Sequence, residues 1–188
     1  MGSAEVGPRV SAGEFEELYR ATSHDLFAYV RRRCQGDPEN LVAETYAVAW
    51  RRRADLPAPM LRRAWLFGVA RTLVAADARL RAQEGAAHLN AATVPTPPAA
   101  DEGESEAIAL VRSAMADLAT HHREVIELVE WERLTIAELS VALGVRPGTA
   151  RVRLHRARQA LARDPRLRRL LAEGPVPTRR SAERVPTD

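Results

Sequence analysis

Apolar residues recur every three or four positions along most of the chain, the spacing of amphipathic helices. Phe15, Leu18, Tyr19, Leu26, Phe27 and Val30 form the first such stripe. The stretch "GDPENLVAETYAVAWRRR" predicts a second helix, with Asp37 as N-cap and Pro38 at the first helical position, where a missing N–H costs nothing. Val42, Tyr46, Ala49 and Arg53 share its stripe, beside Leu41 and Trp50. A break at "DLPAP" precedes a third helix, on which Leu66, Val69, Ala70, Leu73 and Leu80 fall together. Nothing here alternates as a strand does.

Periodicity is lost over residues 84–105, where proline, glycine and acidic residues gather, a composition that predicts a linker. It resumes with Ile108, Val111, Met115 and Leu118, then Val125, Ile126, Leu128 and Val129. The expected fold class is all-α: two small helical domains joined by a flexible linker, the second containing a helix-turn-helix. The boundaries drawn are a disordered N-terminus at 1–12, a first domain at 13–83, the linker at 84–105, a second domain at 106–164, and a tail at 165–188.

The helix-turn-helix is predicted from "TIAELSVALGVRPGTARVRLHRARQAL". Thr135 caps a short helix whose Ile136, Leu139 and Leu143 face inward, and Gly144 supplies the left-handed residue that ends it. Pro147 opens the next helix. Two helices joined by a tight glycine-containing turn form the motif whose second helix enters the DNA major groove. At about 100° per residue, Ala150, Leu154, Ala157 and Leu161 form its buried stripe. Gly148, Val152, His155 and Arg156 lie opposite, flanked by Thr149, Arg151 and Arg153, and Arg158 falls nearer the buried stripe, where packing or a backbone contact is expected. From Arg146 to Arg169 there are nine arginines and one acid, Asp164. A solvated face usually mixes signs, so this one-sidedness favours nucleic acid.

Charge distribution matters here more than the total, because the net charge is only +3. The chain has no lysine, an Ala- and Arg-rich bias that is partly genomic. Cys34, the single cysteine, excludes an internal disulfide and a multi-thiolate metal site and suits a reducing interior. It is read as a bystander thiol. No apolar run approaches the roughly 20 residues that span a bilayer, and the expected location is the cytoplasm. His121 and His122 are adjacent, so their side chains should diverge by about 100°, and no third ligand stands nearby; neither a metal nor any other cofactor is expected. Glu124, Glu127, Glu130 and Glu132, mixed with Arg123 and Arg133, read as a solvated helix face. No motif for nucleophilic, phosphoryl or acid–base chemistry occurs, so an enzyme is not expected.

Two blocks resemble the extracytoplasmic-function sigma factors, small two-domain members of the bacterial sigma-70 family. "LATHHREVIELVEWERLTIAELSVALGVRPGTARVRLHRARQAL" resembles the fourth sigma region, covering most of Glu106 to Arg163. "PENLVAETYAVAW" and "WLFGVARTLVAADARLRA" resemble the second region, over about residues 14–83. The resemblance implies that core RNA polymerase is gripped through residues 39–51, with Glu39, Asn40, Ala43, Glu44 and Arg51 as contacts. The −10 promoter element would be opened and read by the segment from Asp55 to Arg81, with Arg62, Arg63, Arg71, Thr72, Arg79 and Arg81 as contacts. The "ADLPAPM" loop is the candidate rim of a pocket for an extruded base, whose extrusion costs a few kcal/mol. The −35 element would be held by Arg146, Gly148, Thr149, Arg151, Val152, Arg153, His155 and Arg156.

The linker acids Glu84, Asp101, Glu102 and Glu104 would suit a polymerase channel, and an anti-sigma protein is a further expected partner. Asn40, Ala43 and Thr72 depart from the family's usual Asp, Gln and Asn. Trp50 and Trp65 match family positions but read as core. Two other readings stay open: a stand-alone helix-turn-helix regulator that has lost polymerase binding, and a protein-interaction adaptor.

Overall fold

Each of three helices starts where the sequence offers acceptors for its unpaired N–H groups. The structure, a computed structural model, describes residues 10–87 and 106–173. Its helices are α1 (Ala12–Arg31), α2 (Pro38–Arg51), α3 (Pro59–Ala87), α4 (Glu106–Asp117), α5 (Thr120–Glu130), α6 (Ile136–Leu143), α7 (Pro147–Ala162) and α8 (Pro165–Glu173), with no strand among the described residues. Ser11 and Glu14 form a reciprocal capping box at α1, as Thr135 and Glu138 do at α6. The backbone N–H and the hydroxyl of Ser11 hold the Glu14 carboxyl below the usual carboxylate range. Asp37 Oδ1 accepts the N–H groups of Glu39 at 2.9 Å and Asn40 at 3.3 Å, directly ahead of Pro38.

The ends differ from the sequence-based boundaries. Residues 10–12 are ordered: Val10 is buried and donates its N–H to Arg53 O at 3.2 Å, Ser11 caps, and Ala12 is helical. Helix α3 runs to Ala87, through residues 84–87 of the expected linker, because Gly85 is tolerated within a helix and does not have to end it. The expected tether otherwise falls on 88–105, outside the described residues, as do Asp101, Glu102 and Glu104. The tail drawn at 165–188 starts with the further helix that the sequence leads one to expect after Asp164. Arg166 holds α8 to α4 by donating to Asp117 Oδ2 (2.6 Å) and Ser113 Oγ (2.6 Å), and it also donates to Asp164 Oδ2 (2.5 Å) just ahead of its own helix. That guanidinium depresses the Asp164 carboxyl to about 2.

Helices α1, α2 and α3 bury Leu26, Tyr29, Val30, Leu41, Tyr46, Ala49, Leu66 and Phe67. Tyr29 meets Phe67 edge-on, with ring centroids 5.1 Å apart, and its buried hydroxyl has no hydrogen-bond partner. Helices α4 to α8 bury Met115, Val125, Ile126, Leu128, Leu139, Leu143, Leu154 and Ala157. The two groups share one continuous apolar core, because α6 lies directly on α3. The approach is close: a Cβ on Gly68 would sit 2.8 Å from the backbone oxygen of Ala142. Only glycine allows α6 that near.

Several residues of the predicted stripes stay half-exposed. Tyr19, Leu80, Ile108 and Val111 lie at helix edges or ends, beyond the reach of the packed core. Trp50 is corrected from interior to surface: it is 40% exposed and caps Phe15 edge-on at 5.0 Å. Trp65 is partly buried.

Candidate nucleic-acid interface

The turn between α6 and α7 is built as its residues dictate. Gly144 adopts φ 63° and ψ 36°, the left-handed conformation, and donates its N–H to Val141 O at 3.1 Å. Val145 N–H returns to Ser140 O at 2.9 Å, closing the turn before Pro147 starts α7. Ala150, Leu154 and Ala157 then face the core while Leu161 is partly buried. Arg146, Gly148, Thr149, Arg151, Val152, Arg153, His155 and Arg156 are all exposed and together cover the outer face of α7. None of Arg146, Arg151, Arg153 and Arg156 forms an ion pair among the described residues, so a strip of unneutralised guanidinium groups begins at the N-terminus of this helix. Val152 is 48% exposed in the middle of that strip.

The α7 wheel misplaces one residue. Arg158 makes neither a packing nor a backbone contact but an ion pair with Glu130 Oε1 of α5, at 2.7 Å. Arg156 also acts at a distance on His122, whose pKa is lowered by desolvation first and then by the charges of His121 and Arg156. The His121 and His122 rings meet at a tilt of 54° with centroids 4.1 Å apart, where diverging side chains were expected; rotamer choice brings together what the helical angle separates. Among the described residues, no group of three or more His, Cys, Asp or Glu could hold a metal ion.

The other candidate surface lies on α2 and α3. Glu39, Asn40, Ala43, Glu44 and Arg51 are all exposed along α2. Of these, Glu39 and Ala43 line a groove of about 530 Å³ between α1 and α2, together with Tyr19, Phe27, Val42 and Tyr46 among others. The segment from Asp55 to Arg81 is less uniform. Asp55, Thr72, Arg79 and Arg81 are exposed, with Arg81 paired to Asp77 at 3.0 Å and Thr72 Oγ1 donating to Gly68 O at 3.0 Å. Met60, at the end of the "ADLPAPM" loop, is 79% exposed. Arg62 is largely buried, 3.6 Å from Glu14. Arg63 donates to Asp25 Oδ2 and to the backbone oxygen of Glu132, each at 2.9 Å, and Arg71 lies 2.8 Å from Glu124.

Those latter pairings correct the reading of the acidic helix. Glu124, Glu127 and Glu132 are not a solvated face. Glu127 and Glu132 are buried at the seam with the first domain. Glu127 accepts a hydrogen bond from Arg33, and Glu132 Oε1 accepts one from Arg32 at 2.5 Å. Burial raises the Glu127 carboxyl, opposed by the charge of Arg33. The partners stand 94 and 100 positions away in sequence, so no local pattern could have found them. Cys34 is partly buried, its thiol raised chiefly by burial. No helix among the described residues is long and apolar enough to cross a membrane.

An all-helical DNA-binding protein of two packed domains is the class that this architecture defines. Residues 108–161 match the family model of sigma-70, region 4. The ECF RNA polymerase sigma factor SigL of Mycobacterium tuberculosis (strain ATCC 25618 / H37Rv) is 31% identical over 153 residues, spanning 77% of this chain and 84% of that relative. Among solved structures, the sigma factor RpoE in complex with the anti-sigma factor NepR from Bartonella quintana is similar in fold, at 22% identity and TM-score 0.59, covering 80% of this chain and 96% of that one. CnrH, solved in complex with the cytosolic domain of CnrY, is 25% identical with TM-score 0.55, covering 81% of this chain and 87% of that one. The chain belongs to the extracytoplasmic-function sigma factors of the sigma-70 family. It is therefore a subunit that joins core RNA polymerase, binds promoter DNA and directs transcription initiation, and its family is one of non-catalytic initiation factors.

Proposed function

We propose that the two domains divide promoter recognition between them: α7 holds the −35 element, and the segment from Asp55 to Arg81 reads and opens the −10 element. Core polymerase docks on α2 through Glu39, Asn40, Ala43, Glu44 and Arg51. The observation that supports this most is the contrast in arginine pairing. Arg32, Arg33, Arg63, Arg71 and Arg166 are tied to carboxylates, whereas Arg146, Arg151, Arg153 and Arg156, gathered on the one outer face of α7, carry no carboxylate partner among the described residues. Their charge is available to phosphates and base edges. The region comprising residues 13–83 acts as the −10 and polymerase domain, and 106–164 as the −35 domain. The protein carries out no covalent step and works in the cytoplasm, where polymerase and DNA meet. A regulator of the anti-sigma kind fits a chain similar in fold to a sigma factor solved in complex with an anti-sigma factor.

Two substitutions separate the two surfaces. Arg156→Ala should weaken −35 selectivity while the protein still assembles with core polymerase, costing roughly 1–3 kcal/mol of discrimination if the contact is bidentate to guanine. Glu44→Ala should weaken polymerase binding and leave the binding preference of the second domain for duplex DNA unchanged. If about five arginines neutralise phosphates, log affinity should fall against log salt with a slope near −4 to −5. Unchanged assembly for Glu44→Ala would overturn the placement of the polymerase surface.

A further inference from the structure

The start of α5 stands beside the groove face of α7 and carries positive character that no side chain offsets. Helices α5 and α7 pack against each other. No side chain caps α5 at Ala119 and its first turn holds no acid, so the positive end of the helix dipole has no carboxylate of its own. His121 is exposed there and His122 partly buried, with ring centroids 4.1 Å apart. Across the junction, the charge of Arg156 on the outer face of α7 reaches His122.

The acids nearest this corner in the chain are engaged elsewhere. Asp117 Oδ2 lies 2.6 Å from Arg166, and Glu124 Oε1 lies 2.8 Å from Arg71. On α6, Glu138 is held in the capping box with Thr135. Arg123 turns its guanidinium back onto the backbone oxygens of Ala116 and Leu118. The charged groups acting on His122 are therefore His121 of its own helix and Arg156 of α7. Partial burial and these two neighbours hold the imidazole below its ordinary value, so it stands neutral at neutral pH. A phosphate placed against Arg156 reverses each influence. It offsets the guanidinium, complements the helix end, and gives an imidazolium N–H an anionic acceptor.

We propose that His122 is a proton-dependent phosphate contact at the edge of the α7 face: it takes up a proton as duplex DNA seats on Arg156 and joins a backbone phosphate, so that DNA is held more tightly in mildly acidic conditions. This rests on the assignment of α7 to DNA made above. A phosphate contact carries no base information, so it adds grip without changing which sequence is preferred. By linkage, a group whose pKa is higher in the complex than in the free chain tightens binding as pH falls through the upper value towards the lower. Tenfold in affinity corresponds to raising that pKa by about one.

The test is fluorescence anisotropy of the full-length chain with a rhodamine-labelled duplex of random sequence, at about pH 6 and about pH 7.5, over a series of salt concentrations. Binding should be roughly five- to tenfold tighter at the lower pH. The slope of log affinity against log salt should be steeper there by about 0.9, the mark of one added phosphate contact. His122→Gln should remove both differences. His122→Lys, with a fixed charge, should bind at the higher pH about as tightly as the wild type does at the lower. His155→Gln, on the α7 face itself, should keep both differences whatever it costs in affinity. A pH response that survives His122→Gln, or that vanishes in His155→Gln, would overturn the proposal. Duplex binding that Arg156→Ala weakens but pH leaves unchanged would overturn it while the α7 assignment stood. Duplex binding that is absent, or that Arg151→Ala and Arg156→Ala both leave unchanged, would overturn the α7 assignment and the proton link with it.

Discussion

Replacing Arg33 by methionine removes the cation facing Glu127 and leaves a carboxylate buried in the seam. The two side chains are 14% and 11% exposed, so solvent screens them little. Breaking one side of such a pair costs about 3–5 kcal/mol. The charges of Arg123 and Arg32 also stabilise Glu127, which places the expected cost near the lower end, about 3 kcal/mol. Arg33 further donates to Tyr29 O at 3.1 Å and stacks on the Tyr29 ring at 3.8 Å, and methionine can reproduce neither the hydrogen bond nor the cation–π attraction. The double variant Arg33→Met/Glu127→Leu should therefore cost about 1 kcal/mol, because two apolar side chains replace the pair without leaving a charge unpaired. A double-mutant cycle by urea unfolding should give a coupling of about 2 kcal/mol or more. Burial raises Glu127 above its ordinary 4.5, so its contribution to stability is greatest when protonated and falls as pH rises through the raised value. The Arg33→Met penalty should accordingly be smaller in mildly acidic buffer than at neutral pH. Additive single-variant effects, or a penalty independent of pH, would refute the buried pair.

Two further expectations rest on single positions. Tyr29→Phe removes a buried hydroxyl with no partner and should stabilise the chain by about 1 kcal/mol, raising Tm by about 2–4 °C in a thermal melt. Gly144→Ala meets no neighbouring atom but must hold φ 63°, so it should destabilise by about 1–2 kcal/mol from backbone strain alone, measured by the same melt.

The helix-turn-helix was legible because its determinants are local. Thr135 and Glu138, three residues apart, start one helix; Gly144 ends it; and Pro147 starts the next, each acting within one turn. The candidate face of α7 followed from its 100° periodicity, with Arg158 the exception because Glu130 lies on another helix. What the sequence concealed is the relation between the halves. Glu127 and Glu132 sit in an ordinary mixed-charge run, and their burial depends on arginines from the other end of the chain. Gly68 carried no signal, since a glycine within a helix acquires meaning only when a second backbone lies against it. The run to Ala87 was hidden for a related reason: a helix extending past its packing partners needs no apolar stripe to mark its length.

Under the proposed division of labour, this chain gives core polymerase two separate holds on a promoter. Permanganate footprinting of a genomic promoter bound by core polymerase with this protein tests it most directly, since permanganate attacks unpaired thymines. Reactive thymines are expected around −10 only with both polymerase and the protein, with protection at −35 that is lost in Arg156→Ala. Protection at one duplex site by the protein alone, with no strand opening when polymerase is added, would contradict it.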